Sequence, residues 1–536
     1  MAILDWFKGL FKGDEEKGPS EDKKDNDKFD GLKDLQDVFS EEKHQSNDFS
    51  EITEDQRLTE KVQKGAKGGN YPEKMLSRPE RITPITLTHK RKLNICVGLD
   101  LGTSSAKTTY RVLGSTEKKV FPLCLNPTNK KTPFLLPSLI AFPDYGKMIF
   151  ADEAERYLAS RPLEEGVRYL KLLFAGQLDS EYHDEKIFNI FQKYCSRQGL
   201  ADEFTRPDYL LAIFVLGVVK RARGALSEIF PENELNINFN ICLPIDSFQK
   251  KEMQSGFQRI LNAVQDIESK WSIELPLNDM FIQVQSALEG AKGEKNSETR
   301  MHLIPEAVAQ MASYVTSVSA EQKIHCVIDF GAGTTDFSIF NLVDESIQGR
   351  CSYWYNAITY PIGTQRVEGL IDSYYRNKGK TLSHKEVGDI LNTGLADKEL
   401  KKEVKIFLES IWEESRYPVW GKAYAKNRCQ GNWTHDQVEV FVCGGGGSLP
   451  YVEEIYSKSW YREDWGPYQV KKLLPPADFK VSNMDFSRLS VAYGLSYPEP
   501  ELNRYVLPKD CEDQTPRKSP VIIEPENQGP VYPDNH

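Results

Sequence analysis

IHCVIDFGAGTTDFSIFNL, residues 324–342, decides how this chain is read. The apolar run from Ile324 to Phe330 predicts a strand, and the alternation through Asp336, Phe337, Ser338 and Ile339 predicts a second one. Between them lies Gly331-Ala332-Gly333-Thr334-Thr335, a glycine-rich turn with an Asp at each edge. Glycines let backbone N–H groups approach phosphate oxygens, and successive N–H groups in such a turn form an anion-binding nest. Asp329 ends the first strand, where it is placed to hold Mg²⁺ through the waters that ion prefers to keep. An ordinary hairpin with a flexible turn would carry the same residues, so this stretch alone leaves both readings open.

Two other stretches narrow the choice. Residues 93–113, LNICVGLDLGTSSAKTTYRVL, repeat the plan: a strand ending in Asp100, the turn Leu101-Gly102-Thr103-Ser104-Ser105, then a second strand. In VEVFVCGGGGSLP, residues 438–450, a strand runs into Gly444–Gly447 and Ser448, followed by the helix-like YVEEIYSKS. A helix N-terminus behind a glycine loop suits a phosphate or nucleoside.

Two Asp-edged hairpins and a late glycine loop, in that order, resemble the superfamily of actin, sugar kinases and DnaK-type (heat shock protein 70) chaperones. The resemblance covers roughly residues 91–499. It implies an α/β, two-lobed actin-like ATPase fold of duplicated ribonuclease H-like lobes, with ATP and Mg²⁺ in the cleft between them. On that model Gly102, Thr103, Ser104, Gly331, Gly333 and Thr334 grip phosphates, Asp100 and Asp329 hold the metal, and Gly445, Gly446 and Ser448 meet the nucleotide. Lys107, seven residues past Asp100, matches a phosphate-contacting lysine of actin and of the plasmid-segregating actin ParM, which the chaperones lack. Lys171, in YLKLLF, resembles the chaperones' catalytic lysine. Residues 358–374 resemble a chaperone turn around Gly363, with Thr364 where that turn has a second glycine. LIPEAVAQMASYV, 303–315, and DFSRLSVAYGLS, 485–496, resemble the two helices that link the lobes, with Ala492 and Gly494 as close-packing positions. The chaperones carry Glu before the proline of the first helix; here Ile304 precedes Pro305 and Glu306 follows it. A carboxylate at that helix start orients the attacking water in phosphoryl transfer, which makes Glu306 the candidate. Preference for ATP over GTP rests on the resemblance.

The remaining composition bounds the alternatives. A chain of 536 residues exceeds a single core, and its 39% hydrophobic content supports more than one. The net charge of −11, with no Lys/Arg-rich stripe, argues against nucleic acid as a partner. The nine cysteines include no Cys-x-x-Cys pair, and the eight histidines show no metal-ligand spacing, which predicts reduced thiols in a cytoplasmic protein. The longest apolar run, Tyr209 to Val219, is too short to span a bilayer and reads as a buried helix. No signal-peptide pattern opens the chain.

Residues 1–12 predict an amphipathic helix, with Ile3, Trp6, Phe7, Leu10 and Phe11 on one face and Asp5, Lys8 and Lys12 on the other. A membrane surface, a partner's groove and docking onto this chain all remain open for that face. Residues 13–90 read as a disordered charged linker and 500–536 as a disordered tail. That tail is too short and too polar for the client-binding β-sandwich of the chaperones. Three function classes follow: a chaperone-like or scaffold ATPase that cycles between ATP and ADP, a self-assembling filament former, and a kinase for a small metabolite. For the kinase, Asp246 is the sole candidate acid facing an acceptor.

Overall fold

The computed structural model describes residues 91–514, apart from the short stretches 117–118, 144–146, 201–204, 273, 296–298 and 348. The readings made for residues 1–12 and 13–90 lie outside the described residues. Mixed α/β architecture is what the body shows, built on two six-stranded sheets and a two-stranded ribbon.

The first sheet contains β1 (Arg91–Leu101), β2 (Ser105–Val112), β3 (Val120–Pro122) and β4 (Leu135–Pro137). The ribbon β5 (Ile140–Ala141) and β6 (Ile149–Phe150) follows, and β7 (Asn233–Leu243) and β8 (Met301–Pro305) complete the sheet in the order β3-β2-β1-β7-β8, with β4 on β2. The second sheet contains β9 (Ile324–Phe330), β10 (Thr335–Glu345), β11 (Gly349–Tyr360), β12 (Val438–Cys443), β13 (Gln469–Lys471) and β14 (Arg504–Val506). Its order is β13-β12-β9-β10-β11-β14. Each sheet therefore holds an antiparallel hairpin, β1–β2 or β9–β10, whose first strand also pairs in parallel with a later strand, β7 or β12. These central strands read as near-continuous apolar runs because both of their faces are covered. All six residues of β12 are buried.

The apolar run 209–219 is helical, and of the segments expected as linking helices 485–495 lies in a helix while 303–315 is helical only from Glu306, Leu303–Pro305 belonging to β8. Pro207 opens the helix Pro207–Ile229, whose residues 207–219 are all buried; the proline costs nothing at a first turn because that N–H has no helical partner. Pro305 likewise precedes the helix Glu306–Val315, and Ser482 caps Asn483–Leu495 by accepting from the Asp485 N–H. Among the described residues, no helix is long and apolar enough to cross a membrane.

The last two helices bind the sheets together by close backbone approach. A Cβ on Gly494 would stand 1.8 Å from the Ala309 carbonyl oxygen, and one on Gly98 would stand 2.1 Å from that of Ala492. The helix Asn483–Leu495 is thus pressed between β1 and the helix Glu306–Val315. Thr109 Oγ1 donates to the Ala492 carbonyl at 2.7 Å, and Asn240 Nδ2 donates to those of Leu495 at 2.9 Å and Tyr497 at 2.7 Å. The helix that Glu306 opens thus packs against the helix that is itself held on β1 and β7.

One expected boundary moves. The tail assigned to 500–536 is folded over its first part: β14 lies parallel to β11, Leu502, Leu507 and Cys511 are buried, and the Gln514 N–H reaches the Lys426 carbonyl at 2.6 Å. A few apolar anchors spaced among the Pro, Asp and Glu residues are enough to hold an edge strand.

Candidate functional site

The two hairpin turns meet tip to tip. A Cβ on Gly333 would fall 2.6 Å from Thr103 Cγ2, so only a glycine lets the second turn come this close to the first. Within the turns, the Gly331 N–H donates to the Thr334 carbonyl at 2.9 Å, and Ser138 Oγ donates to the Gly102 carbonyl at 2.8 Å. Ser104 is exposed beside them.

Register then decides which charges face each other. In the first hairpin Asp100 lies directly opposite Lys107, and Lys107 Nζ reaches Asp100 Oδ2 at 2.7 Å. In the second hairpin the same seven-residue spacing puts Asp336 opposite Asp329. The first hairpin holds an ion pair at this point; the second sets two carboxyl groups face to face, which would be an unfavourable cross-strand pair if both were ionised. Lys107, expected on phosphate, is thus engaged by Asp100. Burial pulls its ammonium down, but the charge and hydrogen bond of Asp100 outweigh that and leave it above its ordinary value.

Lys171 and Glu306 are brought together from helices Leu170–Leu178 and Glu306–Val315, with Nζ 3.2 Å from Oε2 and both side chains mostly covered. Burial acts against the Lys171 charge, yet Glu306 and the other anions raise its affinity for the proton overall. Four carboxylates, Asp100, Glu306, Asp329 and Asp336, thus share one electrostatic neighbourhood with two ammonium groups. The imbalance falls on the second hairpin. Burial, with Glu306 next in weight, pushes Asp329 up to about 7 and Asp336 up to about 8. Both hold a proton well above the ordinary carboxylate range.

Two residues of this cluster carried no assigned role in the sequence reading. Asp336 accepts from the hydroxyls of Thr334, at 2.9 Å, and Thr359. Its signal was the seven-residue spacing to Asp329 across a tight turn, which pairs the two. Gln310 is buried, and its Nε2 donates to Asp329 while its Oε1 is without a partner among the described residues. It follows Glu306 by four positions, one helical turn, so both reach the same side. Thr334, expected to act on the phosphoryl group, has its hydroxyl engaged by Asp336.

The metal ligands were expected to be Asp100 and Asp329. Asp100 also stands with Cys242 and Glu306, the ligand atoms of the three all within 4.8 Å of one another. Cys242 stands at the end of β7, its thiol 3.9 Å from Asp100 Oδ1, and burial holds that thiol well above its ordinary value. Cys443 sits in the matching place on β12, directly beside Asp329.

Other expected contacts serve a different purpose. The N–H groups of Thr364 and Gln365 donate to the carbonyls of Gly331 at 3.0 Å and Ala332 at 2.8 Å, and Gln365 Nε2 donates to that of Gly333 at 3.2 Å. A Cβ on Gly363 would sit 2.6 Å from two of those carbonyl oxygens. Gly363 and Thr364 therefore brace the second turn from behind and have no amide left over for a ligand. In the late glycine loop, Gly446 is buried against Phe330, whereas Gly445 and Ser448 are exposed. The Gly444 backbone, at φ 74°, lies so near Asp329 that a Cβ would be 2.3 Å from its Oδ1. The helix expected behind this loop is only Val452–Tyr456, entered through Tyr451 at φ 70°. Five residues supply little aligned dipole, so any pull on a phosphate there comes from loop backbone.

Asp246, the candidate acceptor-side acid, accepts from Tyr182 Oη at 2.7 Å, and Lys250 Nζ is 3.6 Å away. No family model matches this chain, and a search of curated proteins found no match.

Proposed function

We propose that the chain is a Mg²⁺-dependent ATPase that acts as a molecular switch, built on the two-lobed actin-like fold. The observation that supports this best is the meeting of two Asp-edged glycine turns, Thr103 against Gly333, directly over a buried cluster with more carboxylates than ammonium groups. Carboxylates that must hold protons when alone are the expected state of a site awaiting cationic charge. The carboxylate oxygens of Asp100, Asp329 and Glu306 are of the kind Mg²⁺ takes, and the ion when bound would neutralise charge on the phosphates.

Within that reading each residue has a separate task. Backbone amides of the Gly102–Ser104 turn and of Ala332–Thr334 face the phosphate oxygens and stabilise charge that grows on them. Glu306 orients the attacking water and takes its proton, while Lys171 steadies the Glu306 carboxylate and adds positive charge beside the phosphoryl group. Gln310 holds Asp329. The pressed contacts of Ala309 with Gly494 and of Gly98 with Ala492 carry a change of closure from ATP to ADP between the sheets, in the manner of a hinge. Partners that read the closed or open form would make it a chaperone-like or scaffold switch; self-assembly into filaments is the rival use of the same cycle.

The test is unfolding of the full chain with and without MgATP, together with phosphate release. Saturating ligand at about 100 times Kd adds about 2.7 kcal/mol to stability. Asp329→Ala is expected to abolish Mg²⁺-dependent turnover while leaving a cooperative unfolding transition. No shift with millimolar MgATP would remove the proposal.

A further inference from the structure

Away from the hairpin turns, the chain gathers aromatic rings around one surface strip. The helix Lys398–Ser415 runs into a wider, π-helical turn, Arg416–Gly421, before the helix Lys422–Lys426. Such turns are uncommon and are frequent at functional sites. Pro418 has no N–H to give inside it. The Asn356 amide, on β11, donates to the carbonyls of Pro418 at 2.7 Å and Val419 at 3.0 Å, so the widened shape is held from the sheet. Trp420 turns inward and is buried, while Tyr417 is left 75% exposed.

Gly421 lies between two rings. A Cβ there would stand 3.6 Å from Tyr417 and 3.9 Å from Trp460. Trp460 is buried, and its carbonyl accepts from Arg416 Nε at 2.7 Å. Tyr461 packs on Trp460 and Trp465, with ring centroids 5.3 and 5.8 Å away, yet remains 59% exposed. The strip therefore runs Tyr417, Gly421, Trp460, Tyr461, with an exposed ring at each end and a residue without a side chain between them. Aromatic surfaces notched in this way receive proline-rich segments, whose polyproline II conformation is set before binding and costs little entropy.

The chain brings such a segment to this place. The Gln514 N–H donates to the Lys426 carbonyl at 2.6 Å, and Lys426 Nζ donates to the Cys511 carbonyl. Two residues before Lys426 stands Tyr424, whose ring is 5.7 Å from that of Trp460. Beyond Gln514 the sequence has 22 residues with five prolines, and Pro530-Val531-Tyr532-Pro533 carries the Pro-x-x-Pro spacing that sets both prolines on one side of a polyproline II helix. The stretch from Gln514 to Pro530 reaches up to about 50 Å at about 3.1 Å per residue. Only two ring contacts separate Tyr424 from Tyr461. A segment tethered so near is present at an effective concentration on the order of 1 mM, enough to fill a site too weak to hold a free peptide.

We propose that the strip from Tyr417 to Tyr461 is the docking site of the chain's own residues 530–533, with the two prolines seated against the exposed rings. The contact stands apart from the nucleotide reading. A proline-rich segment of another protein has to displace it, so the tail sets the affinity threshold for any such partner.

The experiment places p-benzoylphenylalanine at Asn535 of the full chain, just past the second proline, and locates by mass spectrometry where light attaches it. Attachment within one chain to peptides holding Tyr417 or Tyr461 is expected, unchanged by about tenfold dilution because the segment is tethered. Tyr417→Ser with Tyr461→Ser, and separately Pro530→Ala with Pro533→Ala, are each expected to lower that yield about threefold to tenfold. Both tyrosines are exposed, and cooperative unfolding checks that their variant folds; the proline pair changes no residue of the strip. Excess free peptide of sequence GPVYPDN is expected to compete. No attachment, attachment scattered over the surface, or attachment indifferent to both pairs overturns the proposal. Attachment lost on dilution also overturns it and assigns the segment to a second copy.

Discussion

Replacing Asp336 by Asn is expected to stabilise the nucleotide-free protein at pH 8 and to leave its stability unchanged near pH 4. Asp336 and Asp329 face each other across the second hairpin, buried and close to Glu306. Folding raises the Asp336 carboxyl from 3.8 to about 8, so between those values the folded chain keeps a proton that the unfolded chain has released. Stability conferred by that proton is fully present below about pH 4 and is lost as pH rises through about 8. Between about pH 4 and about pH 8 each pH unit costs about 1.4 kcal/mol, so about 5 kcal/mol is an upper bound. Sharing of the strain with Asp329 and entry of water bring the expected gain from the substitution to about 2–4 kcal/mol. An amide keeps a partner for the Thr334 and Thr359 hydroxyls, which can rotate to accept from it.

An unfolding entropy of about 2.1 cal/mol/K per residue, over a body of roughly 420 residues, is about 0.9 kcal/mol/K. The expected rise in the Mg²⁺-free melting midpoint at pH 8 is therefore about 2–4 °C, and about zero at pH 4. The same variant is expected to turn over ATP slowly, because it removes one negative charge from the set that attracts the cation. Calorimetry of both proteins at the two pH values decides the matter. A midpoint that falls at pH 8, or rises equally at both, would refute the view that like charges load this hairpin.

Further outcomes follow from the same contacts. Glu306→Ala is expected to slow single-turnover hydrolysis by about 10²–10⁴ while ATP binding stays within a few-fold; an equal loss of both would make Glu306 structural. Gly494→Ala forces a methyl group into the Ala309 carbonyl and is expected to cost about 1–3 kcal/mol in urea unfolding, as overpacking does; a neutral result would mean the two helices are free to part. If residues 1–12 form the amphipathic helix that their spacing predicts, flotation with anionic liposomes is expected to be weak and to be lost on Trp6→Glu; flotation untouched by that change would leave a protein groove as the target.

What the sequence made legible is what local chemistry controls. Both hairpins appear where alternation and glycine put them, and the apolar run 209–219 lies in a buried helix. What stayed hidden depends on partners distant in the chain. Nothing near Gly363 says that the amides of Thr364 and Gln365 close back on the turn at 331–332, since that needs the intervening β10–β11 hairpin to return. Nothing near Asp100 announces Cys242, which reaches it only through the parallel pairing of β1 with β7. The folded stretch after residue 500 was masked by its own polarity, because three buried side chains among many charges barely change a composition.

The two hairpins make the functional argument sharper than either does alone. They share a turn, a spacing and a neighbouring parallel strand, so the fold by itself is indifferent to what stands seven residues after the first Asp. At that position one has Lys107 and satisfies its partner; the other has Asp336 and does not. A chain selected for stability alone would place a cation at both. The unbalanced charge sits on one hairpin only, at the point where the turns touch, with Gln310, Thr334 and Thr359 arranged to hold those two carboxylates in place. Local rules are broken in natural proteins where function needs it and compensated around the break. Cation binding at this hairpin would turn its charge repulsion into affinity, which is why the Mg²⁺-free pH dependence of Asp336→Asn bears on function as directly as any rate measurement.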